Sequence, residues 1–250
     1  MKNTAEEINQ DIFREFFLLI ELTNASSITI EFDLNQQTLT ITDDGDGFPY
    51  MEFLTIFANR GLNPLEINPI HPCYMFLKAS YIVERMIVES GMEKILIEVH
   101  GEKDKLAYFA QKESWQSGYK VTFFGNTDNS FIPEKVLPFL SIGFPIPVTF
   151  NGKELARPYA INGSLKFSKT EIGYIHVAKS KGRPIEDLAI FMFLNGLARR
   201  VFEDRERIDD MKHIVHVDPE HHTLQALDPE ELVNIVRRTI TKLSKQLSIC

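Results

Sequence analysis

Within its first fifty residues the apolar period of this chain switches from that of a helix to that of a strand, and the second strand runs into a turn crowded with acids and glycines. Ile8, Ile12, Phe13, Phe16, Phe17, Leu19 and Ile20 recur at helical spacing, which predicts a helix from Ile8 to about Ala25 with a broad buried face, ending near Asn24. Ile28, Ile30, Phe32 and Leu34 then alternate with polar residues, and Leu39 and Ile41 do so again after Asn35-Gln36-Gln37, the pattern of a β-hairpin. Its second strand leads into Asp43-Asp44-Gly45-Asp46-Gly47. The glycines permit positive φ and close backbone approach to a ligand, and a carboxylate at the end of a buried strand is placed to accept a hydrogen bond from an amino group. Three acids in four residues repel one another, so something must compensate them. Calcium is excluded on spacing: with Asp44 as first ligand of an EF-hand loop, Phe48 falls at the fifth position and Thr55 at the twelfth.

Downstream, residues 50 to 60 read as a short helix, and 61 to 72 as an irregular loop with three prolines. A second amphipathic helix is expected over Tyr74 to Glu84, then strands at 94 to 100, 106 to 112 and 119 to 124, a short helix at 133 to 141, and a tight hairpin at 147 to 155 with Asn151-Gly152 at its turn. Beyond Arg157-Pro158 a second unit begins, with strands at 163 to 168, 172 to 178 and 189 to 194, a polar stretch from 203 to 222, and a terminal helix at about 229 to 247 opened by Asp228 and Pro229.

Charge and composition narrow the function classes. A net charge of -8 opposes a polyanionic partner, and the basic clusters Lys179, Lys181, Arg183 and Arg199, Arg200, Arg205, Arg207 are interleaved with acids, so nucleic acid is not the expected partner. No window approaches eighteen consecutive apolar residues, and Met1-Lys2-Asn3-Thr4-Ala5-Glu6-Glu7 lacks the apolar core of a signal peptide, so a cytoplasmic protein without a membrane span is expected. Cys73 and Cys250 stand far apart, outside any metal-binding or disulfide pattern.

The order Glu21-Leu22-Thr23-Asn24-Ala25-Ser26-Ser27, a hairpin, and Asp43-x-Gly45-x-Gly47 resembles the N-box and first glycine motif of the GHKL superfamily of gyrase, the heat-shock chaperone, histidine kinases and MutL. The resemblance runs over about residues 5 to 155, ends in the Pro147-Val148-Thr149-Phe150-Asn151-Gly152-Lys153 hairpin, and is nearest in layout to MutL-like and chaperone-like members. It implies an α+β fold: a Bergerat-type sandwich of a mixed, mostly antiparallel sheet with helices on one face over residues 1–157, then a smaller transducer-like αβ unit over 158–250, whole or truncated. It also implies ATP and Mg2+ as ligands, with Asn24 on the metal, Asp43 receiving the adenine amino group, and Gly45 and Gly47 shaping the base pocket. A homodimer gated by nucleotide is a further implication of the family, and the protein client stays unnamed.

This chain departs from the family pattern at three places. The carboxylate that activates water in hydrolytic members lies four residues before the Asn; that position is Ile20, which leaves Glu21 as the candidate general base on the same helical face as Asn24. The phosphate lid, usually glycine-rich, corresponds to the glycine-free stretch Asn68 to Phe76, where His71 or Lys78 would supply a phosphate contact. Gly118-Tyr119-Lys120-Val121 resembles the family's Gly-Thr-x-Val strand with Tyr119 in the threonine's place, free to stack on a base or to fill the pocket, and with Thr122 one residue off and facing the other way. Lys179 and Lys181 are candidates for the transducer lysine. Two readings follow: an ATP-binding conformational switch with slow Mg-dependent hydrolysis, or a degenerate interaction module with little or no nucleotide turnover. A protein kinase of the histidine-kinase or anti-sigma type fits less well, because no helix with a phospho-accepting His precedes the domain.

Overall fold

The structure, a computed structural model, describes residues 5–20, 23–48, 79, 83–100, 104–125, 131–178, 189–194, 196–202, 212–218 and 229–247. Two compact units divide the chain, one taking Met1–Leu140 with Ile146–Leu155, the other Ser141–Pro145 with Ala156–Cys250. The second unit thus reaches back across the hairpin to include five residues that precede it.

In the first unit, α1 (Ala5–Ile20) is followed by β1 (Ile28–Asp33), β2 (Thr38–Asp43), β3 (Val83–His100), β4 (Asp104–Gly125), α2 (Pro133–Ser141), β5 (Val148–Phe150) and β6 (Lys153–Glu154). The strands form one sheet in the order β3-β4-β2-β1-β5-β6, antiparallel except where β1 meets β5. The apolar stripe of α1 is buried from Ile12 to Ile20, and the Phe16 ring lies 5.7 Å from Tyr119 of β4. That helix therefore packs on the sheet face carrying Leu39, Ile41, Tyr119, Val121 and Phe123, each such side chain contributing roughly 1.5–3 kcal/mol by its burial. Period-two alternation has a further consequence. Counting on from Leu39 and Ile41, it places Asp43 on the same buried face.

Both hairpin turns follow from local chemistry. Asp33 Oδ1 accepts from the amides of Asn35 (2.8 Å) and Gln36 (3.0 Å), and Gln37 completes the turn at φ 49°. Asn151 and Gly152 both take positive φ, 46° and 76°, as a type I′ turn requires, and Asn151 Oδ1 accepts from the Phe32 amide at 2.8 Å.

In the second unit, β7 (Ser168–Thr170), β8 (Gly173–His176), β9 (Ala189–Leu194), β10 (Leu197–Phe202) and β11 (Lys212–Val217) make a sheet in the order β10-β9-β11-β8-β7, parallel only between β9 and β11. The closing helix α3 (Pro229–Leu247) presses Val233, Val236 and Ile240 onto Ile175, Ile190, Met192, Val215 and Val217. On the opposite face Phe191, Phe193 and Ile214 are covered by Ile142, Tyr159, Leu165 and Phe167.

The α+β class expected from the sequence is the class observed, with mostly antiparallel sheets and few helices among the described residues. Several boundaries differ. The helix expected to reach Ala25 is described only to Ile20. Val83 and Glu84, assigned from sequence to a helix, open β3, and the three runs expected between 94 and 124 belong to two long strands. The polar gap around Ser114 is absorbed by irregular pairing between Ser90 and Glu93, where Gly91 (φ 57°) lies beneath the Trp115 ring. The strand expected at 163 to 168 begins only at Ser168, and β10 and β11 were hidden by their charges: Arg199 and Arg200 read as a solvated patch, while Lys212, His213 and His216 masked Ile214, Val215 and Val217. Asp228, the expected cap of α3, and the segments 50 to 72 fall outside the described residues. No helix among the described residues is long and apolar enough to cross a membrane.

Candidate functional site

The acidic glycine turn is held from three directions. Thr23 closes the end of α1, its amide and Oγ1 both donating to the Ile20 carbonyl at 3.0 Å. Asn24 follows in the left-handed region at φ 52°, so it stands in a turn and not on the helix. The helical-face argument that joined Glu21 to Asn24 therefore does not apply, and Glu21 itself lies outside the described residues. After Asn24 the chain turns through Ser26 and Ser27, whose amides and hydroxyls all donate to the Asp44 carboxylate, at 2.7 and 2.6 Å from Ser26 and 2.8 and 2.9 Å from Ser27. Slight desolvation raises the Asp44 pKa, but these hydrogen bonds outweigh it and hold the carboxyl at about 2. Asp46 is compensated differently: its Oδ2 accepts from Asn24 Nδ2 at 2.7 Å, and its amide donates to the Thr23 carbonyl at 2.6 Å.

The third acid, Asp43, meets no compensating charge among the described residues. It is 3% exposed, and Oδ1 accepts from the Gly45 amide at 2.7 Å. Its Oδ2 is buried and has no hydrogen-bond partner among the described residues. Burial pushes the pKa up to about 6, against the pull of the Gly45 and Tyr119 amides and with a smaller push from the Asp44 charge. Since Thr42 pairs with Lys120, the next residue along each strand brings Asp43 opposite Tyr119. The Tyr119 ring is fully buried, edge-on to Phe16 at 5.7 Å and to Phe48 at 5.6 Å. Its hydroxyl is also buried with no partner among the described residues, and burial first, then the Asp43 charge, raises its pKa well above the usual phenol value.

The glycines serve the turn's own packing. A Cβ on Gly45 would collide with the Thr23 carbonyl, one on Gly118 (φ 65°) with the Asp43 carbonyl, and one on Gly47 (φ 101°) would come to 2.5 Å from Ser90 Oγ. That same Ser90 Oγ accepts from the Phe48 amide at 2.8 Å, tying the turn to β3. The close approaches that the glycines permit are to Thr23 beyond α1, to β3, and of β4 to β2.

Of the residues singled out from sequence, Asp43, Gly45, Gly47 and Tyr119 come together, and Asn24 joins them through Asp46. Thr122 does not: it lies on the opposite face of β4, its Oγ1 3.4 Å from that of Thr40. Tyr119 fills core space between two phenylalanines and is not stacked on an open surface. His71, Lys78, Lys179 and Lys181 fall outside the described residues. Sequence reasoning missed the Ser26 and Ser27 clamp on Asp44, and Ser90; the Ser-Ser turn just before β1 was the available signal for the clamp. Among the described residues no cluster of three or more His, Cys, Asp or Glu side chains forms a metal site, though Asn24 and Asp46 offer hard oxygen donors side by side, the chemistry Mg2+ prefers.

No family model matches the sequence, and no curated protein matches it. Solved structures do. The ATPase region of Saccharomyces cerevisiae topoisomerase II, in two structures of which one is bound to ICRF-187 (dexrazoxane), is similar with a TM-score of 0.47 and 14% identity, over 76% of this chain and 62% of that one. The ATPase and transducer domains of DNA topoisomerase II from Balamuthia mandrillaris give the same TM-score and identity, over 76% of this chain and 59% of that one. The chain thus spans less than two thirds of the length of these structures, and they are topoisomerase regions, giving no support to the MutL-like or chaperone-like closeness expected from sequence.

Proposed function

We propose that this chain is a GHKL-type nucleotide-binding module in which Asp43 receives the exocyclic amino group of adenine. The observation that carries this reading is the buried Oδ2 of Asp43, which has no hydrogen-bond partner among the described residues. An ionised carboxylate oxygen desolvated with no donor is costly, and a fold retains such a group when a ligand supplies the donor. Above pH 6 that oxygen is an acceptor only, matched to an amino group and mismatched to a carbonyl.

On this reading residues 1–157 bind ATP and 158–250 act as the transducer-like unit. Asn24, with Asp46 beside it, would hold Mg2+ on the phosphates, where the ion would neutralise their charge; Gly45 and Gly47 shape the turn that presents Asp43. Glu21 is the proposed general base if hydrolysis occurs, Lys78 a proposed phosphate contact, and nucleotide-gated homodimerisation the proposed output. Thermal unfolding with and without Mg-ATP tests the reading. At a hundred times the dissociation constant the native state should gain about 2.7 kcal/mol. An unchanged unfolding curve at millimolar Mg-ATP refutes it.

A second reading is favoured by a specific observation. Tyr119 fills the space between Phe16 and Phe48, and Asp43 is only 3% exposed, so a base reaches the carboxylate only after side chains move. A degenerate interaction module with a plugged pocket has this geometry, and under that reading Mg-ATP leaves the unfolding curve unmoved.

A further inference from the structure

We infer that the outer edge of β3 is a self-pairing interface: without nucleotide, two copies of this chain join antiparallel along residues 93–99 about a two-fold axis at Leu96, setting Lys94 of each copy against Glu98 of the other. This contact does not rest on the nucleotide reading above and is separate from any dimer that ATP would gate.

β3 ends the sheet order, so among the described residues no strand pairs with its outer side. Beyond the irregular pairing at Ser90 to Glu93, an unbroken ladder joins Glu93 through His100 to Gln111 through Asp104. β2 meets β4 only between Lys120 and Phe124, so over this stretch the described sheet is a ribbon of two strands. Such a ribbon is marginal by itself, and a bare edge is a template for a further strand. The usual deterrents are weak here: residues 93–100 hold no proline, and the bulge lies behind them. Edge charges deter pairing only when the incoming strand fails to neutralise them.

The run Lys94-Ile95-Leu96-Ile97-Glu98 is its own complement when reversed. Period-two alternation puts Lys94, Leu96 and Glu98 on one face and Ile95 and Ile97, both fully buried, on the other. An antiparallel copy with its two-fold at Leu96 preserves both faces: Lys94 meets Glu98, Ile95 meets Ile97, Leu96 meets Leu96, and the charge pair recurs on the far side of the axis. An axis at Ile95 would set Lys94 against Leu96, one at Ile97 would set it against His100, and a register between these turns every side chain to the wrong face. Within its own chain Leu96 pairs with Tyr108, which is 51% exposed, so the dimer runs one row of Tyr108, Leu96, Leu96 and Tyr108 across four strands.

The test is sedimentation velocity of the full chain without nucleotide, for wild type, Lys94→Glu, Glu98→Lys and an equimolar mixture of the two variants. Wild type should dimerise. Each reversal turns both charge pairs into like pairs and should weaken self-association about tenfold. The mixture should regain the wild-type affinity as a heterodimer, because every carboxylate in it again faces an ammonium. A wild type that stays monomeric up to its solubility limit overturns the inference, and so does a wild-type dimer that either reversal leaves unchanged or that the mixture fails to restore. Should a reversal not fold, hydrogen exchange of the wild type decides: amides in residues 93–99 should gain protection as protein concentration rises, and protection independent of concentration overturns the inference. None of these outcomes bears on nucleotide binding, which is measured separately.

Discussion

Replacing Asp43 by Asn makes the unliganded protein more stable at alkaline pH than at acid pH, relative to wild type. The wild-type carboxyl titrates at about 6 in the folded protein against 3.8 as its ordinary value, a difference corresponding to about 3 kcal/mol. Between those values the folded state holds the proton more tightly than the unfolded chain. Stability therefore falls as pH rises from about 4 through about 6, then levels off; about 2 kcal/mol of the loss lies between pH 4.5 and 8. The amide of Asp43→Asn is nearly isosteric, still offers an oxygen to the Gly45 amide, and carries no titrating charge. Its NH2 inherits the unpartnered position of Oδ2, which costs about 1–3 kcal/mol at every pH and cancels in the comparison. Urea unfolding of both proteins at pH 4.5 and 8 measures the effect. The stability of Asp43→Asn minus that of wild type should rise by about 2 kcal/mol from the lower pH to the higher. A difference that does not change with pH would show that Asp43 is ionised without penalty, and the burial of a carboxylate whose Oδ2 meets no donor would be wrong.

Other consequences follow from the same turn. Asp44→Ala releases four hydrogen bonds to Ser26 and Ser27, so hydrogen exchange at those two amides should accelerate markedly; unchanged protection contradicts the clamp. Because its carboxyl is held at about 2, the stability Asp44 contributes is present above about pH 4 and is lost as pH falls toward 2, and Asp44→Asn should flatten that acid limb of the unfolding curve. Gly45→Ala drives a methyl into the Thr23 carbonyl and should cost about 1–3 kcal/mol or more in urea unfolding, whereas a neutral result would mean the turn does not pack as described. Tyr119→Phe removes a buried hydroxyl that has no partner, so without nucleotide it should be neutral or stabilising by up to about 1 kcal/mol; a loss above about 2 kcal/mol would reveal a structural hydrogen bond.

What the sequence made legible was whatever rests on period and turn chemistry. The α1 stripe, the β1–β2 hairpin, the Asn151-Gly152 turn and both α2 and α3 fall where spacing and Pro or Asn-Gly signals put them. Asp43 was legible from the acidic glycine turn, but that β2 runs on through Thr42 and Asp43 and so puts the carboxyl on the Ile41 face was not. The remainder depends on tertiary placement. No local pattern says that Asn24 leaves the helix at φ 52°, that Ser90 from a strand more than forty residues on reaches the Phe48 amide, or that Gly45 is required by the Thr23 carbonyl. Strands β10 and β11 were obscured because charged and imidazole side chains occupy positions in them that a period count treats as exposed; His213 and His216 are both buried, His216 stacked at 4.8 Å on Phe193 and accepted by the Tyr159 carbonyl at 2.7 Å. The three acids look alike in sequence, yet their environments drive Asp43 and Asp44 to opposite sides of the ordinary carboxylate range.

The measurement closest to the central claim is calorimetric titration of wild type and Asp43→Asn with Mg-ATP at pH 7.5, where the wild-type carboxylate is ionised. The account requires saturable binding to wild type and none detectable to the variant. Equal affinity in the two would mean that the buried carboxylate does not meet the base.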